Sequence, residues 1–354
     1  MTERILTCPE LVDKLTVEAL VDCRRDGAEA LQVLVSKWRP PDSFDRFAAH
    51  DAGGTDGLDS TGYFGAVFDG RYVYFSPEMH GDSSTHGVVL RYDTLADFGD
   101  AASYAAHDAS ETDGLDTRGF YGAVFDGRYV YFVPRQIDLV AYHSRVLRLD
   151  TSTNFRDESS WSAFDVGEQH SQQSAAFDGR YIYFVPFIKG VFLRYDTRGD
   201  FSAAENWQVY DAGPAHLGGY IGAVFDGTWL YFVPYGHSLV GRYNTRENFS
   251  SVTSWQFYEA GHTAGLQTGG FAGGVFDGKY VYFEPFKKKS KDGGAFDFHT
   301  NLLRYDIQEN FTAPGSWDAF DASRIDNLKT IGYQGGCFDG RYFYFAPLIN
   351  LNDG

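Results

Sequence analysis

Any chemistry in this chain would have to come from histidines, glutamines and aromatic side chains gathered from separate segments. No Gly-rich phosphate loop, nucleophile elbow or Cys-His pairing is present. The candidate ligand-binding residues are His143, His170, His216, His237 and His262, with Gln172, Gln173, Gln334, Tyr121 and Tyr220. Aromatic rings beside amide and imidazole groups suit a sugar, whose apolar ring face stacks while its hydroxyls seek hydrogen bonds. Acid–base catalysis would draw on His170, His216, His262, Glu168 or Asp326, each needing a closed pocket to shift its pKa. Imidazole is also a common transition-metal ligand. No two histidines here have the close spacing of a metal motif, so a divalent ion would need ligands from several segments, and no cofactor is expected. Thr55-Asp56-Gly57-Leu58-Asp59 and Thr112-Asp113-Gly114-Leu115-Asp116 offer the oxygens calcium prefers. Their counterparts Thr263-Ala264-Gly265-Leu266-Gln267 and Ile325-Asp326-Asn327-Leu328-Lys329 do not keep the acids, which favours a duplicated turn. Cys337, where other copies have Val or Ala, reads as a structural thiol.

Whether those residues can meet depends on the elements that carry them. Phe-Asp-Gly recurs six times, with its Asp at 69, 126, 178, 226, 277 and 339, giving spacings of 57, 52, 48, 51 and 62 residues. A period near 50 with several strand-like runs per unit predicts an all-β fold, a six-bladed β-propeller of four-stranded antiparallel blades. In the third repeat strand A is Ala175-Ala176-Phe177, and an Asp178-Gly179 turn leads to strand B, Arg180–Val185, closed by Pro186. Strand C is Val191–Asp196 and strand D is Trp207–Asp211. Strand A begins with Gly65, Gly122, Ser174, Gly222, Gly273 or Gly335, so it is expected innermost, where backbones crowd. Strand alternation then sends the D-to-A and B-to-C loops, with eight of the ten histidines, to one face. Phe64, Tyr121, Gln173, Ile221, Ala272 and Gln334 are expected to ring the channel mouth there; one position earlier is aromatic except at Gln172. Arg91, Arg148, Arg194, Arg242 and Arg304 repeat at one strand C position, which implies interblade ion pairing or hydrogen bonding.

The last repeat stops short of its strands C and D. Phe47–Ala52 matches the strand D endings of other repeats, and Leu31–Val35 reads either as strand C or as helix. Residues 30–52 are therefore expected to complete the last blade of a 30–354 propeller, with residues 1–29 a helical extension whose segment 9–24 is amphipathic.

The net charge of −18 argues against nucleic acid, and the run Lys287–Lys291 reads as a solvated loop. Three cysteines do not make a disulfide framework, the N-terminus has no uninterrupted apolar stretch, and no run suits a membrane span, which together predict a cytoplasmic protein that binds no membrane. The 31 Phe and 24 Tyr against 2 Met suit half-buried strands.

The order Tyr195-Asp196 then Trp207, Tyr243-Asn244 then Trp255, and Tyr305-Asp306 then Trp317 resembles kelch-type propellers over residues 45–347. Tyr-Phe-x-Pro replaces the kelch double glycine, and sialidase-type Asp boxes are absent. The resemblance implies a fold that serves both binding scaffolds and enzymes. Strongly differing loops imply one unique site: a non-catalytic module binding a small polar, glycan-like ligand or a protein segment, or alternatively a lyase or hydrolase with a histidine site at the channel mouth.

Overall fold

A computed structural model describes residues 17–25, 28–36, 49–139, 141–167, 171–213, 218–289, 296–325, 328–329, 331–338 and 342–349. Each Phe-Asp-Gly that falls among the described residues builds a hairpin, and its chemistry explains the repeat. The Asp69 carboxylate accepts from the backbone N–H of Arg71 (2.8 Å) and Tyr72 (2.6 Å) and from the Tyr74 hydroxyl (2.8 Å). Asp126 and Asp226 bind Tyr131 and Tyr231 in the same way, each at 2.8 Å. Asp69 N–H donates to the Tyr72 carbonyl, so the two central turn residues are Gly70 and Arg71, not the expected Asp-Gly. Gly70 has φ +103° and Arg71 stays at negative φ, which suits a turn with glycine first.

Four-stranded sheets follow in sequence order. After a hairpin of β1 (Val17–Arg25) and β2 (Ala28–Ser36) come β3 (Tyr63–Phe68), β4 (Tyr72–Pro77), β5 (Val88–Asp93) and β6 (Tyr104–Asp108). The second sheet is β7 (Phe120–Phe125), β8 (Tyr129–Pro134), β9 (Arg145–Asp150) and β10 (Trp161–Asp165). The third is β11 (Gln172–Phe177), β12 (Tyr181–Pro186), β13 (Val191–Asp196) and β14 (Trp207–Asp211). The fourth is β15 (Tyr220–Phe225), β16 (Trp229–Pro234), β17 (Leu239–Asn244) and β18 (Trp255–Glu259). The fifth is β19 (Phe271–Phe276), β20 (Tyr280–Pro285), β21 (Asn301–Asp306) and β22 (Trp317–Asp321). β23 (Ile331–Phe338) and β24 (Phe343–Ile349) form a pair. The chain divides into two compact units, Met1–Ile182 with Tyr195–Trp207, and Tyr183–Arg194 with Gln208–Gly354.

Within each unit consecutive repeats join by the same contacts. The strand D aromatic stacks on the first residue of the next strand D: His107 on Trp161 (4.8 Å) and Phe164 on Trp207 (5.2 Å) in the first unit, Tyr210 on Trp255 (4.3 Å) and Tyr258 on Trp317 (4.7 Å) in the second. The recurrent strand C arginine lies between two rings. Arg148 is 4.3 Å from the Tyr129 centroid and 4.1 Å from Phe201; Arg242 is 3.9 Å from Trp229 and 4.3 Å from Phe311. These contacts between repeats are cation–π stacks and hydrogen bonds from the guanidinium to uncharged acceptors, such as Arg194 to the Tyr243 hydroxyl at 2.7 Å, where ion pairs were one expectation. Arg304 does pair with Asp318, at 2.8 Å, within its own sheet.

The N-terminal expectations need correction. Val17–Arg25, within the segment expected to be helical, is a strand paired antiparallel with Ala28–Ser36. Its alternation and the Asp26-Gly27 dipeptide between the strands are hairpin signals that the helical reading passed over. Leu31–Val35 pairs with β1 in a two-stranded sheet of its own. Residues 1–16 and 37–48 lie outside the described residues. Ala49–Ala52 is not strand, although His50 stacks on Tyr104 at 4.4 Å in the geometry of the later strand D pairs. Lys287–Lys289, expected in a solvated loop, pairs with Phe296–Phe298.

Candidate functional site

The first strands of neighbouring repeats approach closely through their glycines. A Cβ on Gly65 would sit 3.5 Å from the Gly122 Cα, and one on Gly122 4.0 Å from the Gln173 carbonyl. That approach sets Phe64, Tyr121 and Gln173 on adjoining strands of the first unit. Tyr121 stacks on Phe64 with centroids 3.5 Å apart. Over Tyr121, 3.9 Å from its centroid, lies the guanidinium of Arg135, the residue just after the proline that ends β8. Arg135 Nη1 donates to Gln173 Oε1, and its Nε is 3.8 Å from Glu78 Oε1. Glu78 follows the proline that ends β4. Burial raises the Glu78 carboxyl above the usual range, and the Arg135 charge only partly offsets it. The cluster is thus a half-enclosed set of donors and acceptors beside two stacked rings.

Flanking Gln173 in sequence is a run of unsatisfied polar atoms. Gln172 is 0% exposed, and neither its amide oxygen nor its nitrogen has a partner. Ser171 Oγ and Ser174 Oγ are likewise buried without partners. Such groups cost free energy in a bare protein and are uncommon. The other repeats show what normally fills this place. Tyr63 packs edge-on against His86 (5.5 Å), Phe120 against His143 (5.7 Å), Tyr220 against His237 (5.1 Å) and Phe271 against His299 (5.9 Å). The third repeat replaces both members, with Gln172 at the aromatic position and Lys189 at the histidine position.

Those four histidines perform one structural task. Nε2 lies 3.0 Å from the Gly62 carbonyl in His86, 3.3 Å from Gly119 in His143, 3.1 Å from Gly218 in His237 and 2.9 Å from Gly270 in His299. Nδ1 of His143 and His237 accepts from the backbone N–H two residues on, at 3.2 Å in both. Burial pushes His143 down to about 4, and lowers His237 too. These side chains clamp the B-to-C loop to the D-to-A loop, and both ring nitrogens are hydrogen-bonded in His143, His237 and His299, while Nδ1 of His86 has no partner. The sequence carried the signal: each stands five residues before the recurrent strand C arginine, so it is a repeated position.

The remaining candidates are dispersed. In the second unit Tyr220 is 0% exposed, with its hydroxyl unpartnered and its pKa raised by burial. His262 is exposed in a two-residue strand paired with Leu266–Gln267, and Gln334 is exposed on β23. His170 and His216, with Glu168 and Asp326, lie outside the described residues. Asp56 and Asp113 of the twin turns accept from the Ala106 and Ala163 backbone N–H, each at 2.9 Å, which gives the shared acids a structural use. Among the described residues no group of three or more His, Cys, Asp and Glu side chains is arranged to hold a metal ion.

Glu78 and Arg135 were not singled out from the sequence. The residue after Tyr-Phe-x-Pro varies among the repeats (Glu78, Arg135, Phe187, Tyr235, Phe286 and Leu348), and that variation was the available signal. In the second unit this position forms an aromatic row, with Phe187 6.0 Å from Tyr235 and Tyr235 5.6 Å from Phe286. Lys287 Nζ is 4.9 Å from the Tyr235 centroid.

No family model and no curated protein matches the chain. Solved structures similar to it include that of YjhT, at 12% identity and a TM-score of 0.48, over 83% of this chain and 96% of that one. Another is a nidogen/laminin complex, at 13% identity and a TM-score of 0.40, over 73% and 82%. A third is the β-propeller domain of Cps50 (Swd1) from Myceliophteria thermophila, at 11% identity and a TM-score of 0.42, over 75% and 73%. With TM-scores below 0.5, these likenesses decide neither function nor the number of repeats.

Proposed function

We propose that the chain is a six-bladed β-propeller acting as a non-catalytic recognition module, without metal or cofactor. It binds a small polar, glycan-like ligand or a polar protein segment through Tyr121, Arg135, Gln172 and Gln173. The observation that carries this reading is the fully buried, unpartnered amide of Gln172, the residue next in sequence to Gln173, which itself bonds Arg135. A donor and an acceptor held ready and unsatisfied suit a ligand that supplies both. The nearest ion pair, Arg135 with Glu78, is internally balanced, which favours a ligand of little net charge. A lyase or hydrolase reading loses support from His143 and His237, whose nitrogens bond to backbone. A thermal-shift screen of saccharides and polar metabolites tests the reading. Hits on the wild type should vanish in Gln172→Leu and Gln173→Ala proteins that remain folded; hits that persist in both would refute it.

A further inference from the structure

Glu284 is a carboxylic acid in a place reserved for small or apolar side chains. The x of Tyr-Phe-x-Pro is Ser76, Val133, Val185 and Val233 in the first four repeats, each at most 1% exposed. Glu284 fills it in the fifth, at 2% exposed. Paired glycines make the room: a Cβ on Gly273 would lie 2.7 Å from Glu284 Oε2, and one on Gly336 2.5 Å from Oε1. The position after the first small residue of strand A is Ala66, Ala123, Ala175 and Ala223 in earlier repeats but Gly274 and Gly336 here. The carboxyl accepts from the Gly335 backbone N–H on β23, while Oε2 has no partner. No Lys, Arg or His stands on β19, β20 or β23. Their titratable groups besides Glu284 are Tyr280 and Tyr282 of β20 and Tyr333 and Cys337 of β23, and β19 has none; β21, paired with β20, carries Asp306 and Arg304, the latter paired with Asp318, and β24 carries Tyr344. An ionised carboxylate in such a site lacks a compensating charge, whereas the neutral acid fits it.

We propose that Glu284 makes the seam between the fifth sheet and β23 protonation-dependent, packed while the carboxyl is neutral and loosened when it ionises. Burial pushes this carboxyl up to about 7, so the change falls near neutrality. A group whose folded-state pKa is raised gives stability that is complete below its ordinary value near 4.5 and is lost as pH rises through about 7. The test compares thermal midpoints of full-length wild type and Glu284→Gln at about pH 5.5 and about pH 8. The wild type should lose several degrees more than the variant on that rise, because every other titration is common to both. Parallel losses would overturn the proposal. Hydrogen exchange of wild-type β23, corrected for intrinsic rates, gives a test independent of the variant's folding. Protection there should fall across the same interval, and unchanged protection would equally overturn it.

Discussion

The residue after Tyr-Phe-x-Pro does opposite work in the two units. In the first, Glu78 and Arg135 form a charged, hydrogen-bonded cluster over Tyr121 and Gln173. In the second, Phe187, Tyr235 and Phe286 make an apolar row. The backbone that presents them is shared: turn Asp, strand C Arg, strand D Trp and the loop-clamping His recur in both. A repeat scaffold therefore fixes where a variable side chain stands and leaves its chemistry open, so function is to be sought in the variable position that is polar and costly to the bare protein.

The largest effect should test the shared part. Trp161 in the first unit and Trp255 in the second each donate to a phenylalanine carbonyl, at 2.9 and 2.8 Å, and sit in equivalent stacks. Replacing either by Ala should cost about 3–5 kcal/mol in denaturant unfolding. Costs differing by more than about 2 kcal/mol would break the claim of a common scaffold. Next comes pH. His143, lowered from its ordinary 6.5 to about 4, gives stability present above 6.5 and lost as pH falls through 4. The loss should approach roughly 3 kcal/mol. His143→Gln should flatten that acid limb in equilibrium unfolding, and an unaltered limb would remove the clamp assignment.

A smaller effect separates the units. Gln172→Leu should stabilise the unliganded protein by about 1–2 kcal/mol, because an unsatisfied buried amide is replaced by an apolar group. Phe271→Leu, at the equivalent place in the second unit, should destabilise by about 1 kcal/mol. The same sign for both would place Gln172 among ordinary packing residues. Smallest of all, Tyr235→Ala should cost about 1 kcal/mol, because its ring is only half-buried.

Much of the fold was legible because sterics repeat. Phe-Asp-Gly, Tyr-Phe-x-Pro and the tiny residue of strand A recur wherever the backbone needs a positive φ, a strand end or a close approach. The site was less legible. Tyr121, Gln172 and Gln173 were reachable by asking which strand A positions differ. Arg135 and Glu78 were less legible, because only the variation after the proline that closes strand B marks them. His143 and His237 are candidates because histidine invites chemistry, while their constant distance from the strand C arginine and their bonds to backbone give them a structural task. The Val17–Ser36 hairpin was hidden by a run of Leu, Val and Ala that also satisfies helical spacing.

The central claim is that recognition belongs to the polar cluster and not to the aromatic row. Its most direct test is one saccharide and metabolite screen, read by thermal shift on wild type, Gln173→Ala and Tyr235→Ala side by side. Shifts seen in the wild type should disappear with Gln173→Ala and survive Tyr235→Ala. Shifts that survive Gln173→Ala and disappear with Tyr235→Ala would contradict the account.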